Sequence, residues 1–267
     1  MAMPMNLVLV RHGQSEGNVA RKLSKRGDHS RYTAEFRNRH SSLLRLTDKG
    51  REQARIAGQW IQANISPVFF RYYTSEYIRA METAAYLNLP DAKWYADFYL
   101  RERDWGKLDL ESDDVRKTKF AEDMRRKKLD SFYWTPPDGE SVAHLCLRTD
   151  RVLDTLHREC DGKDVIIVCH GETILGFRVR VERMSQEKYH AIDCSKDPRD
   201  RIQNCQIVHY TRRDPATGLV SPYCGWMRSV CPWDPKLSRN EWEVIERPRY
   251  SNQDLLAIAA KFPRYIE

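Results

Sequence analysis

Three short apolar runs punctuate the chain, and each ends in a polar corner. Residues 6–10 (NLVLV) are apolar on both faces, as a strand buried in a parallel sheet requires, and run straight into Arg11, His12 and Gly13. Residues 68–73 run into Thr74 and Ser75, and residues 164–169 (DVIIVC) run into His170 and Gly171. Helical patterns separate these runs. Residues 47–64 are amphipathic, residues 76–87, 141–160 and 173–183 follow helical periodicity, and Ser15-Glu16 opens a further helix. Alternating strands and helices predict an α/β fold, with a mostly parallel sheet covered on both faces. Residues 205–212 and 219–223 flank the turn-rich Asp-Pro-Ala-Thr-Gly and predict a hairpin.

Two segments break the alternation. Residues 105–135 are densely charged, include Arg125-Arg126-Lys127-Lys128, and read as a helical cap inserted into the domain. Residues 222–250 hold Trp226, Trp233 and Trp242 among several prolines, which predicts an irregular stretch within a C-terminal extension of about 213–267. No linker is visible, so the expectation is one domain over residues 1–267.

The polar corners point to chemistry. Parallel strands place their carboxyl ends on one edge of the sheet, where open α/β sheets bind ligands. Arg11, His12, Arg79 and His170 therefore converge there. Four cation-capable groups in one small volume repel each other unless an anion neutralises them, and a phosphoryl group suits two guanidinium forks beside imidazoles.

Composition narrows the alternatives. A formal net charge of +7 favours anionic partners, and Arg21, Lys22, Lys25, Arg26, Arg31, Arg37, Arg39 and Arg45 form a basic stretch opposed by few acids. Some of these, with the 125–128 run, are candidates to guide a substrate carrying several negative charges. Nucleic acid is the weaker alternative because it rests on that stretch alone. Seven cysteines, an odd number, fit a reducing compartment, and none has an arginine six residues later, as a cysteine-phosphatase loop requires. The Gly13 loop lacks the nucleotide-binding P-loop pattern, and the Cys/His spacings fit no common zinc site. No apolar run approaches the roughly 18 residues of a membrane span, and the amino terminus lacks a signal-peptide pattern, so the expectation is a cytoplasmic protein. A homo-oligomer is left open.

These residues also carry a resemblance. Arg11-His12-Gly13 with Asn18, then Leu46-Thr47-Asp48-Lys49-Gly50, Thr74-Ser75 with Arg79-Ala80, Glu102, Asp138-Gly139-Glu140-Ser141 and His170-Gly171 resemble, in order, the histidine phosphatase superfamily, which includes the phosphoglycerate mutases. The resemblance implies a three-layer α/β/α sandwich, a phosphohistidine intermediate, a small phosphorylated substrate, and no metal or other cofactor. By resemblance His12 is the nucleophile, Arg11, Arg79 and His170 hold the phosphoryl oxygens, and Glu102 is the proton donor, with Asp104 as second choice. Asn18, Ser24, Arg103 and the Gly171 N–H are further substrate-binding candidates. The mutase pattern places an arginine pair close before a proline cluster. Here Phe132-Tyr133-Trp134 lengthens the interval between Arg125-Arg126 and Pro136-Pro137, so a phosphomonoester hydrolase is expected ahead of a mutase. A noncatalytic binding protein on the same fold is the third reading, although its usual signature, loss of the nucleophile, is absent.

Overall fold

The computed structural model describes residues 2–266. Its first half runs β1 (Asn6–Arg11), α1 (Glu16–Ser24), α2 (Ala34–Asn38), α3 (Asp48–Asn64), β2 (Arg71–Ser75), α4 (Ile78–Tyr86), β3 (Trp94–Asp97), α5 (Asp113–Thr118) and α6 (Ala121–Leu129). The second half runs α7 (Val142–Glu159), β4 (Asp164–Cys169), α8 (Gly171–Val181), α9 (Gln186–Cys194), β5 (Ile207–Thr211), β6 (Trp226–Val230), β7 (Arg239–Val244) and α10 (Asn252–Ala259).

The seven strands form one sheet in the order β3-β2-β4-β1-β5-β6-β7. Strands β3, β2, β4 and β1 are parallel, and β5, β6 and β7 continue the sheet antiparallel. Strand β1 shows how the layers arise. Alternate side chains of a strand face opposite sides. Leu7 and Leu9 pack with Leu156, Ile174 and Phe177, whereas Val8 and Val10 pack with Ala57, Ile61 and Ala84. Helices α7 and α8 thus cover one face and α3 and α4 the other, which makes the α/β/α sandwich.

Side-chain caps set the start of several helices. Ser15 and Ser141 each close a capping box, with Asn18 and His144 as the reciprocal partners, and Thr47 caps α3 by accepting from the Gly50 N–H. The cap has its own small core of Trp105, Leu108, Phe120 and Trp134, with α5 and α6 folded around it.

Several expected boundaries shift. The second strand starts at Arg71 and includes Thr74 and Ser75, because Val68 and Phe70 are exposed while Tyr72 and Tyr73 pair with Ile166 and Ile167 of β4. The hairpin after β5 does not return over 219–223. Leu219 and Val220 are exposed, only a single bridge joins Arg213 to Val220, and the returning strand is β6. Residues 222–250, expected to be irregular, supply β6 and β7.

Candidate active site

The parallel register brings the strand ends together. Arg11 lies opposite Cys169, and the His12 N–H donates to the Cys169 carbonyl at 2.9 Å. Ser75 ends β2 in the same sheet, one strand beyond β4. Strand β5 runs the other way, so residues 202–206 arrive at this same edge, where the Cys205 N–H donates to the Arg11 carbonyl at 3.1 Å.

Behind His12 the chain needs two glycines. A Cβ on Gly13 would sit 2.3 Å from the Gly50 carbonyl oxygen, and one on Gly50 would sit 2.1 Å from that of Gln14. The Arg-His-Gly and Thr-Asp-Lys-Gly motifs are therefore two sides of one backbone contact, which seats the loop after β1 on the first turn of α3.

His12 is buried, and its Nδ1 lies 2.7 Å from the Gly13 carbonyl oxygen. A carbonyl only accepts, so Nδ1 carries the proton and Nε2 presents a lone pair. The Arg79 Nε–H donates to that Nε2 at 3.3 Å. Burial first, then the charges of Arg79 and Arg11, hold the His12 pKa well below the ordinary imidazole value, so the ring is neutral. The Gly13 N–H donates to Thr83 Oγ1 at 3.0 Å, and that hydroxyl donates to the Arg79 carbonyl at 2.6 Å. Thr83 thereby ties the base of the histidine to the helix that carries Arg79.

His170 stands edge-on to His12, with ring centroids 5.1 Å apart, and its Nε2 lies 2.8 Å from Ser75 Oγ. Burial and the Arg79 charge also hold its pKa well below the ordinary value. Arg11 reaches the Ile202 carbonyl through Nη1 at 2.5 Å, and Arg79 reaches the Ser41 carbonyl at 2.6 Å. Neither guanidinium forms an ion pair among the described residues. His170 Nδ1 and Arg11 Nε are buried without a protein partner. Buried polar groups are normally satisfied, so these two mark a place for a ligand.

Glu102 accepts from the backbone N–H groups of Arg103 at 3.0 Å and Thr173 at 3.3 Å. Burial and the nearby Glu172 carboxylate raise its pKa, although Arg79 pulls the other way. Asn18 uses its Oδ1 to accept from the Ser15 N–H and from Asn204 Nδ2, which leaves its amide hydrogens free at the cavity wall. The Gly171 N–H opens α8 beside Arg11, whose Nε would lie 3.3 Å from any Cβ there.

Three expected residues sit differently. Ser24 faces away from the cavity: its hydroxyl meets His29 Nδ1 at 2.8 Å and accepts from the Asp113 N–H at 2.7 Å, tying α1 to the cap. Arg103 borders the cavity, but it donates to the Glu140 and Trp134 carbonyls and to Glu172. Its donors hold the cap to the core. Asp104 is exposed and accepts from the Gly106 N–H.

Arg11, His12, Asn18, Arg79, Glu102 and the Gly171 backbone line the floor of a cavity of about 480 Å³, within the usual range for small-molecule sites, and His170 lies fully buried behind His12. Four more cations, Arg21, Lys25, Arg116 and Arg201, line it farther out. Arg125 pairs with Glu122 on the cap surface and Lys127 lies over the Trp105 ring; neither they nor Arg126 and Lys128 line the cavity. Among the described residues, no three His, Cys, Asp or Glu side chains gather as a metal site, and no helix is long and apolar enough to cross a membrane.

The sequence model of the histidine phosphatase superfamily (branch 1) matches residues 7–215. The chain belongs to that superfamily. A 2,3-bisphosphoglycerate-dependent phosphoglycerate mutase of Parvibaculum lavamentivorans is 34% identical over 201 residues, covering 72% of this chain and 86% of its own. The phosphoglycerate mutase-like protein AT74 of Arabidopsis thaliana is 25% identical over 271 residues, covering 90% and 79%. Among solved structures, the alpha-ribazole phosphatase of Shigella flexneri superposes with a TM-score of 0.61 at 19% identity, covering 83% of this chain and 98% of its own. The superfamily's enzymes thus include mutases and phosphatases on the fold seen here.

Asn204 and Trp233 join the site without a sequence motif that marks them. Asn204 Nδ2 bridges the His12 carbonyl at 3.0 Å and Asn18 Oδ1 at 2.9 Å, and the Trp233 indole N–H donates to the Asn204 carbonyl at 2.6 Å. Trp233 lies beyond the stretch that the superfamily model matches. No motif in the sequence links it to His12.

Proposed function

We propose that the protein is a metal-independent phosphomonoesterase that works through a phosphohistidine on His12. The observation that carries this reading is the state of His12: buried and neutral, with its proton fixed on Nδ1 by the Gly13 carbonyl and its Nε2 lone pair beside the Arg79 guanidinium. A nucleophile needs that lone pair, and a phosphoryl group needs those cations.

In the first step Nε2 attacks phosphorus while the bond to the ester oxygen breaks, and Glu102 gives its proton to the leaving alkoxide. Its raised pKa keeps that proton available. Arg11, Arg79 and His170 hold the nonbridging oxygens, with Asn18 and the Gly171 N–H as neutral donors. In the second step the Glu102 carboxylate takes a proton from water, whose oxygen attacks phosphorus. The P–N bond breaks, inorganic phosphate leaves and His12 returns neutral.

The test is to mix the protein with a phosphate ester, quench in base and look for an acid-labile phosphoprotein that His12→Ala does not form. An acid-stable adduct, or turnover by folded His12→Ala near the wild-type rate, overturns the assignment.

A phosphoglycerate mutase is the second reading, favoured by the relatives of that name. The interval before Pro136 speaks against it: Phe132 packs on Tyr189 and Trp134 joins the cap core, so the extra residues are built into the fold. Supplying 3-phosphoglycerate with a trace of 2,3-bisphosphoglycerate separates the two. A mutase yields the 2-isomer, and a phosphatase yields inorganic phosphate.

A further inference from the structure

Glu102 is held asymmetrically, and the asymmetry says where its proton sits. Its Oε1 accepts from the Arg103 and Thr173 N–H groups at 3.0 and 3.3 Å, and the Thr173 hydroxyl, which donates to the Arg101 carbonyl at 2.8 Å, stands 3.5 Å from the same oxygen. Oε2 has no protein partner among the described residues. A carboxyl oxygen faced by two N–H groups must accept, so the proton belongs on Oε2. That oxygen is the one left for a leaving group in the cavity that Glu102 lines.

A second carboxylate stands beside it that the chemistry at His12 does not use. Glu172 precedes Thr173 in the first turn of α8 and lines the same cavity. Its Oε2 meets Arg103 Nη1 at 3.4 Å. Arg103 is itself fixed: its side chain is buried, and its Nε and Nη2 donate to the Glu140 and Trp134 carbonyls at 2.6 and 3.1 Å. Two bonds thus join the segments, with Glu102 on Thr173 and Arg103 on Glu172. A helix N-terminus and a guanidinium both suit a negative charge at Glu172.

Like charges held this close disfavour each other. After burial, Glu172 is the strongest influence raising the Glu102 pKa, and against it stand Arg79 of α4, the Arg103 N–H and Arg11 of β1. The remaining ionisable neighbours are neutral or paired. Burial keeps His12 and His170 uncharged and the Cys169 thiol of β4 and the Tyr189 hydroxyl of α9 protonated, while Arg101 and Arg148 of α7 both turn to Glu140. Asp193 of α9 lines the cavity as well. Without Glu172, two guanidinium groups would act on Glu102 with no clamped carboxylate to oppose them.

We propose that Glu172 is a positioning residue for the leaving-group acid: clamped by Arg103, its carboxylate keeps the proton on Glu102 until the ester oxygen takes it. The same repulsion makes Glu102 the better base when it takes a proton from water in the second step. This rests on the phosphomonoesterase reading, in which Glu102 is the acid.

The test is the pH dependence of first-step rates on an alkyl phosphate, for the wild-type protein and for Glu172→Gln, which keeps an oxygen for Arg103. The decline on the basic side should move down by about one pH unit in the variant, a roughly tenfold loss at high pH and a much smaller one at low pH. Glu172→Ala should shift it in the same direction. A merely structural role lowers the rate equally at every pH, and that result, or an unmoved decline, overturns the proposal. In the Glu102→Gln background the pH-dependent part of the loss should vanish. Its persistence there also overturns the proposal, because Glu172 would then act on another group. If no alkyl ester is hydrolysed, the phosphatase reading fails, and carbon-13 NMR titration of the Glu102 carboxyl decides the inference separately. A lower midpoint in Glu172→Gln than in the wild-type protein supports it, and equal midpoints overturn it.

Discussion

The floor and the mouth of the cavity are both cationic, and they are built in opposite ways. On the floor each side chain is anchored by the protein through at least one atom: His12 by Gly13, His170 by Ser75, Arg11 by Ile202 and Arg79 by Ser41. At the mouth Arg21, Lys25 and Arg201 are exposed, and cation–π contact with Trp105 takes the place of hydrogen bonds for Arg21. Fixed dipoles stabilise a transition state without reorganising, whereas exposed long side chains adapt to whatever arrives. The difference separates chemistry from choice. On the proposed reading the floor carries the reaction, and the exposed cations are what an anionic ester meets on its way in.

The sharpest way to break this division is at Glu102. Glu102→Gln keeps the shape and removes the proton, so first-step rates on alkyl phosphates should fall by about 10²- to 10⁴-fold, with a much smaller loss on p-nitrophenyl phosphate. An alkoxide needs a proton to leave and a nitrophenolate does not. Equal losses on both substrates in that step would remove Glu102 from the role of acid and make Asp104→Asn the next variant.

A smaller effect comes from pH and concerns the floor and the sheet together. His12, His170 and His209 are buried and neutral, the last with a pKa lowered to about 3 by burial and Arg228. Their folded pKa values lie below the unfolded value of about 6.5, so between the two the unfolded chain binds protons that the fold refuses. Stability is full above about pH 6.5 and falls as the pH drops, by up to about 1.4 kcal/mol per pH unit for each ring. Urea midpoints at pH 7.5 and 5.5 measure this, and equal midpoints would mean that the imidazoles are charged in the fold. Activity has the complementary sign at the other limb. Hydrolysis of alkyl esters should decline as pH rises through the raised pKa of Glu102, and Glu102→Gln should lack that decline.

The smallest effect probes how far the floor's rigidity extends. Trp233→Phe removes the N–H that holds the Asn204 carbonyl and should cost about 1–3 kcal/mol of stability with a few-fold loss of kcat. The stability cost without any loss of kcat would confine Trp233 to a structural role and draw the boundary of the floor at Asn204.

What the sequence revealed follows from how far each residue travels to reach the site. Arg11, His12 and His170 close apolar runs, so their place at the sheet edge is visible in the local pattern, and Arg79 lies in the first turn of the helix that follows the second run. Asn204 meets His12 only because β5 runs antiparallel to β1, a pairing with no local mark. Ser24 and Arg103 are polar residues of the right kind near the site, but neighbours more than thirty residues away claim their hydrogen bonds. Strand β3 escapes because it is a half-exposed edge of four residues, and β6 because Trp-Met-Arg-Ser-Val breaks the apolar run with an arginine that stacks on Trp60 and Trp242.

Strands β6 and β7 also have a bearing on solubility. All five residues of β5 are buried, whereas β7 carries Arg239, Glu241 and Glu243 along a largely exposed outer edge. A bare apolar strand edge recruits other chains, and charged residues on an edge discourage this. The superfamily model ends at residue 215, just before the hairpin that moves the sheet's border from β5 to β7. The last two strands of the sheet therefore cover the edge of β5 and end it in charge, and a chain shortened to the shared core would be expected to bare Ile207, Val208 and Tyr210 as an unpaired edge.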